Sequence, residues 1–131
     1  MPSPPRAQAK YAETLHTFID KGYSPVFAID HVGQGTSDRI HEDHSRQHVD
    51  SGDQFIEAYG AFLDNVLFTI PADKPRYLAC HSMGCAISFT QLIKDHKAGI
   101  PSRFNAVVAN APLIKADTAP FPYFIATAIG T

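Results

Sequence analysis

Ser82 stands in the run Cys80-His81-Ser82-Met83-Gly84, a setting in which a serine hydroxyl can do acyl chemistry. A short apolar stretch, Tyr77-Leu78-Ala79, precedes it, and small or apolar residues follow at helical spacing as far as Phe89. The pattern predicts strand, sharp turn, helix. A serine at the tip of such a turn has a strained backbone, and its hydroxyl is lifted clear of the sheet. Small residues are needed where strand and helix nearly touch. Gly84 meets that need two residues after Ser82; two residues before it, where glycine is usual, stands Cys80, so G-x-S-x-G becomes C-x-S-x-G. The chemistry implied is attack on a carbonyl carbon, with the oxyanion held by the Met83 N–H at the start of a helix whose dipole adds to the pull. The competing reading is a buried serine in an ordinary strand-to-helix connection, because five-residue patterns recur by chance.

Two other clusters suggest chemistry and carry less. Gly33-x-Gly35 follows an apolar run and hints at a dinucleotide fingerprint, but Asp38 stands where a third glycine belongs and a polar stretch follows instead of a helix. His41, His44 and His48 lie among acids at a spacing that could hold a divalent ion; exposed loops collect such residues freely, and a solvated loop is the preferred reading. Cys80 and Cys85 flank Ser82, one at a strand end and the other a turn into a helix. At that spacing no structural disulfide is expected, and a reducing compartment fits.

Elements able to position Ser82 can be read along the chain. Tyr11, Leu15, Phe18 and Ile19 form one stripe of a helix starting near Ala7 and closed by Gly22. Pro25–Ile29 is an apolar run of strand length, as for a parallel strand covered on both faces. Ser51 and Gln54 have capping-box spacing, and Phe55, Tyr59, Phe62, Leu63, Val66 and Leu67 give the helix that follows a broad apolar face. A third helix runs from Met83 to about His96 and is closed by Gly99 and Pro101. Phe104–Ala109 is the next strand, and Phe121–Ile129 is apolar and helical in pattern. Alternating strands and helices imply an α/β fold, with a mostly parallel sheet and flanking helices. At 131 residues the chain is one domain or less. Its hydrophobic fraction of 44%, charged fraction of 18% and net charge of −2 exclude a disordered or nucleic-acid-binding chain. Met1–Arg6 lacks the apolar core of a signal peptide and no run approaches the ~20 apolar residues of a membrane span, so the cytoplasm is the expected location.

With the Cys80–Gly84 run, the loop Asp30-His-Val-Gly-Gln-Gly-Thr-Ser37 and the Asn110-Ala-Pro turn in this order, the chain resembles α/β-hydrolases of the bacterial lysophospholipase and monoacylglycerol lipase branch. The resemblance runs from about Tyr11 to Pro112. It implies a partial α/β-hydrolase domain over 1–131, with its core at 7–112 and the start of a lid at 113–131. It implies Ser82 as acyl-accepting nucleophile, the Met83 amide as an oxyanion donor, and His81 and Gly84 as supports of the turn; it calls for no cofactor and no metal. The substrate implied is a lipid ester, with Pro120–Ile129 greeting its acyl chain and transient contact with a membrane surface.

The same resemblance sets what else is needed. The family orders its triad serine, acid, histidine, with the last two beyond later strands. Every histidine here except His96 lies at or before the turn, and His96 falls at the far end of the next helix. Asn110 and Asp117 are the first residues placed to act as acid; the one is an amide and the other sits where relatives lead into the lid. The family's opening strands, and the oxyanion loop with its His-Gly motif, precede the first helix seen here, and Met1–Arg6 cannot hold them. Without a serine's base turnover falls by about 10⁶, and loss of one oxyanion donor removes a further ~10²–10³. The 131 residues alone are therefore expected to be nearly inert. The alternative is a non-catalytic α/β module whose exposed sheet edges associate with a partner.

Overall fold

The computed structural model describes residues 10–38 and 49–114, and the chain divides between Pro75 and Arg76 into two units. In the first, helix α1 (Ala12–Asp20) keeps Leu15 and Phe18 half-buried. It ends at Gly22, as expected: with φ at 89° the Gly22 N–H reaches the Ile19 carbonyl at 2.9 Å and the Tyr23 N–H reaches that of Phe18 at 3.0 Å. This is a Schellman closure, and its usual apolar contact is the edge-on packing of Tyr23 against Phe18, ring centroids 6.2 Å apart.

Helix α2 (Gly52–Phe68) buries Tyr59 and Leu63 and half-buries Phe55, Phe62, Val66 and Leu67, the face its spacing predicts. Its start differs from expectation. The Ser51 side chain makes no capping bond; Gln54 instead reaches back one residue further, Oε1 accepting from the Asp50 N–H at 2.9 Å while Nε2 donates to Asp50 Oδ2 at 3.3 Å. Asp50, not Ser51, is the reciprocal partner.

The strand expected over Pro25–Ile29 is not formed. The segment carries no ladder among the described residues, and Phe27 is 42% exposed rather than covered on both faces. Apolar content gives a segment the means to be a strand; only a neighbour's N–H and C=O groups make it one.

The second unit is a β–α–β run. Strands β1 (Tyr77–His81) and β2 (Ala106–Asn110) pair in parallel from Tyr77 opposite Ala106 to His81 opposite Asn110. Helix α3 (Met83–Lys97) connects them and packs on β1. Register is pinned just ahead of the ladder: the Arg76 N–H donates to Asn105 Oδ1 and the Asn105 N–H to the Arg76 carbonyl, both at 2.8 Å. Helix α3 closes as α1 does, Gly99 (φ 74°) donating to His96 and Ile100 to Asp95. A partial α/β fold with a parallel sheet and helices is what these elements make. Apart from Leu113 and Ile114 the lid expected over 113–131 lies outside the described residues. Among them no helix is long and apolar enough to cross a membrane.

Candidate active site

Strand β1 runs straight into α3 with Ser82 as the only residue between. Its φ of 50° and ψ of −122° lie in a region that a non-glycine residue occupies at a cost of about 1–3 kcal/mol. Three backbone bonds hold it there: the Ser82 N–H donates to the Asn110 carbonyl at 3.2 Å, and the Ser82 carbonyl accepts from Cys85 at 3.0 Å and from Leu113 at 3.1 Å. The turn after β2 thus clamps the turn after β1. Ala111, inside that clamp, also has a positive φ, 42°.

An N-cap serine ordinarily folds its hydroxyl onto an amide of the first turn from an extended backbone. Ser82 has the wrong backbone for that and makes no such bond, so the helix does not consume its hydroxyl. Met83 and Gly84 are the first two helical residues, whose N–H groups have no acceptor within the helix. The arrangement can present a hydroxyl beside a pair of helix-terminal amides, the disposition an addition to a carbonyl requires.

His81, the last residue of β1, alternates with Cys80: Cys80 faces α3, and the exposed His81 side chain therefore leaves the sheet on the opposite face. That fits a supporting role better than proton transfer with Ser82. His96 lies in the last turn of α3, about 20 Å along the helix from Met83, too far to act as base. Asn110 serves the turn through its carbonyl. Asp117 and the triplet His41, His44 and His48 lie outside the described residues, among which no group of three metal-ligating side chains occurs.

The cysteines overturn an expectation. Cys80 and Cys85 form a disulfide, their Cα atoms 4.9 Å apart. The sharp turn requires strand end and first helical turn to approach closely, and that closeness brings the two sulfurs together; a reducing location can no longer be argued from them. The signal was legible in principle, since both cysteines stand where this turn asks for small residues in contact.

The Asp30–Ser37 loop, in the other unit, folds around its own carboxylate. Buried Asp30 accepts at Oδ2 from the Thr36 N–H (2.9 Å) and the Thr36 hydroxyl (3.1 Å), while its carbonyl accepts from the Ser37 hydroxyl. A Cβ on Gly35 would lie 2.1 Å from Asp30 Oδ2. The space and the amide that a phosphate would use are taken by Asp30. His31, next in the chain, packs its ring edge-on against Phe55 and tilted against Tyr59, at 6.1 and 6.3 Å, with Nδ1 buried and without a hydrogen-bond partner. Burial pushes its pKa below 6.5, and the neighbouring Asp30 charge offsets this only in part.

A family model described as serine aminopeptidase, S33, matches residues 7–130. Lysophospholipase L2 of Escherichia coli K12 is 35% identical over 104 residues, which are 79% of this chain and 28% of that protein. Lysophospholipase L2 of E. coli O6:H1 (strain CFT073) matches with the same figures, so the chain spans 28% of the length of the curated relatives it matches. No solved structure matches. Strand, strained serine and helix follow one another as in the family resemblance drawn from sequence, and the matched residues take in all three: the chain belongs to the serine aminopeptidase S33 family of hydrolases, among its lysophospholipase-like α/β-hydrolases.

Proposed function

We propose that this chain carries the acyl-accepting segment of a serine hydrolase that cleaves carboxylic esters, with lipid monoesters of the lysophospholipid kind as substrates. The observation that supports it most is the strained Ser82 between β1 and α3, at a helix N-terminus it does not cap. In this reading Ser82 Oγ attacks the ester carbonyl and its proton passes to a histidine base. The Met83 N–H holds the oxyanion, the alcohol leaves, and water then releases the acid from the acyl-enzyme. His81 and Gly84 support the turn. The named activity of the E. coli relatives favours a lipid ester over a peptide, and such a substrate implies transient contact with a membrane surface.

The family's order of triad residues assigns neither acid nor base to these 131 residues. The proposal therefore includes that they turn over substrate about 10⁶-fold more slowly than a form carrying the full triad. A fluorophosphonate probe tests the reading. In a form that includes the downstream acid and histidine, Ser82 is modified and the Ser82→Ala variant is not; the 131 residues alone are modified slowly at the same position. Absence of label on Ser82 in both forms ends the reading.

A further inference from the structure

Two nucleophilic side chains lie beside the candidate site and have no part in the proposed reaction. Cys80 is two residues before Ser82 on β1, and Cys85 is three residues after it in the first turn of α3. Their bond closes a ring that contains His81, Ser82, Met83 and Gly84: the candidate nucleophile, its oxyanion amide and both supports. A residue in a sparsely populated backbone region stays there only while its surroundings over-determine it. For Ser82 those surroundings are three backbone hydrogen bonds and this one covalent bond. Of the four, only the covalent bond can be opened by a reagent that leaves the rest of the fold in place.

We propose that the Cys80–Cys85 bridge is a reversible thiol–disulfide site that sets the presentation of Ser82: closed, the turn holds its strained form; opened by a dithiol, the turn relaxes and Ser82 loses reactivity. The loss of reactivity rests on the reading of Ser82 as nucleophile, whereas the relaxation of the turn does not. The exchange has a direction. Cys85 is 0% exposed and Cys80 is half-buried, so one thiolate of the dithiol attacks Sγ of Cys80. The S–S bond breaks, and its electron pair leaves on Cys85 Sγ, which takes a proton from water. Access alone sets this direction, since Cys85 is fully buried and the sulfur of Cys80 is the one within reach. The dithiol's second thiolate then attacks its own sulfur in the mixed disulfide and releases Cys80, which is protonated. Two electrons pass to the protein, which gains two thiols, and the dithiol becomes a disulfide.

The test compares the 131-residue chain, air-oxidised, reduced with dithiothreitol and reoxidised, for rate of fluorophosphonate label on Ser82 and for amide hydrogen exchange at Ser82, Cys85 and Leu113, whose N–H groups make the three bonds that hold the turn. Label is expected to enter about tenfold more slowly after reduction and to recover on reoxidation. A Cys80→Ser/Cys85→Ser variant should label at the reduced rate and ignore dithiothreitol; if it does not fold, the wild-type comparison decides. Equal labelling rates with two alkylatable thiols present overturn the proposal, as does an air-oxidised chain whose thiols both alkylate. If Ser82 of the 131 residues labels in neither state, the nucleophile reading is left to the form with the full triad and exchange alone decides the redox site. Faster exchange at Ser82, Cys85 and Leu113 after reduction upholds it, and unchanged exchange overturns it.

Discussion

Asp30 and Gly35 show how far a single residue's placement departs from what its neighbours in sequence suggest. Gly33-x-Gly35 invites a phosphate, yet the side chain that fills the loop is the carboxylate five residues before Gly35. Spacing along a chain does not reveal a side chain that folds back. Gly35→Ala meets two obstacles, a positive φ and a Cβ driven into a carboxylate that is 4% exposed and held at Oδ2 by two donors. Gly22→Ala meets only the positive φ, since nothing lies within 4 Å. Urea denaturation should therefore show Gly22→Ala losing about 1–2 kcal/mol and Gly35→Ala clearly more; equal losses contradict the packing described. His31 gives a pH test. Its folded pKa is depressed below 6.5, so the unfolded chain binds the proton first as pH falls. Stability is thus fully present above about pH 6.5 and declines on acidification. His31→Phe should flatten that decline between about pH 7.5 and 5, seen in urea midpoints across the range.

At the scale of elements, what was legible was local. Gly22 and Gly99 announced the ends of α1 and α3, and the small residues around Ser82 announced the turn, because each needs only a few consecutive residues. The Pro25–Ile29 strand and the Cys80–Cys85 bond depend on what lies across from them, and spacing alone misjudged both. On α3 the buried residues are small or apolar as far as Ser88, namely Cys85, Ile87 and Ser88, and beyond them the helix buries Gln91 and Asp95. Asp95 accepts from Gln91 Nε2 at 2.7 Å and from Arg103 Nε at 2.5 Å, with Arg103 15% and Asp95 6% exposed. Arg103 sits in the connection to β2, so this ion pair ties the end of α3 to the strand whose end clamps Ser82. Removing one partner of a buried pair strands the other charge. Arg103→Ala should destabilise the chain by about 3–5 kcal/mol in chemical denaturation. Arg103→Ala with Asp95→Leu should recover much of that loss, which separates a stranded charge from simple loss of packing.

For the molecule as a whole, the second unit's sheet is the exposed feature with the plainest consequence. Every residue of β2 is exposed, with Val107 at 41% and Val108 at 68%, and among the described residues β1 and β2 form ladders only with each other. An open parallel edge carrying β-branched residues is a template for another strand, and parallel sheets normally have both faces covered. Among the described residues the sheet meets neither condition, so a second copy should supply part of what is missing. Sedimentation velocity should show weight-average mass rising with concentration. A Val108→Lys variant places a charge on the strand, the device natural edges use, and should stay monomeric at concentrations where the parent associates. If the parent remains monomeric throughout, the edge is covered by residues of its own chain. In that event association through sheet edges, the main support for a non-catalytic module, falls away and leaves the hydrolase reading without its rival.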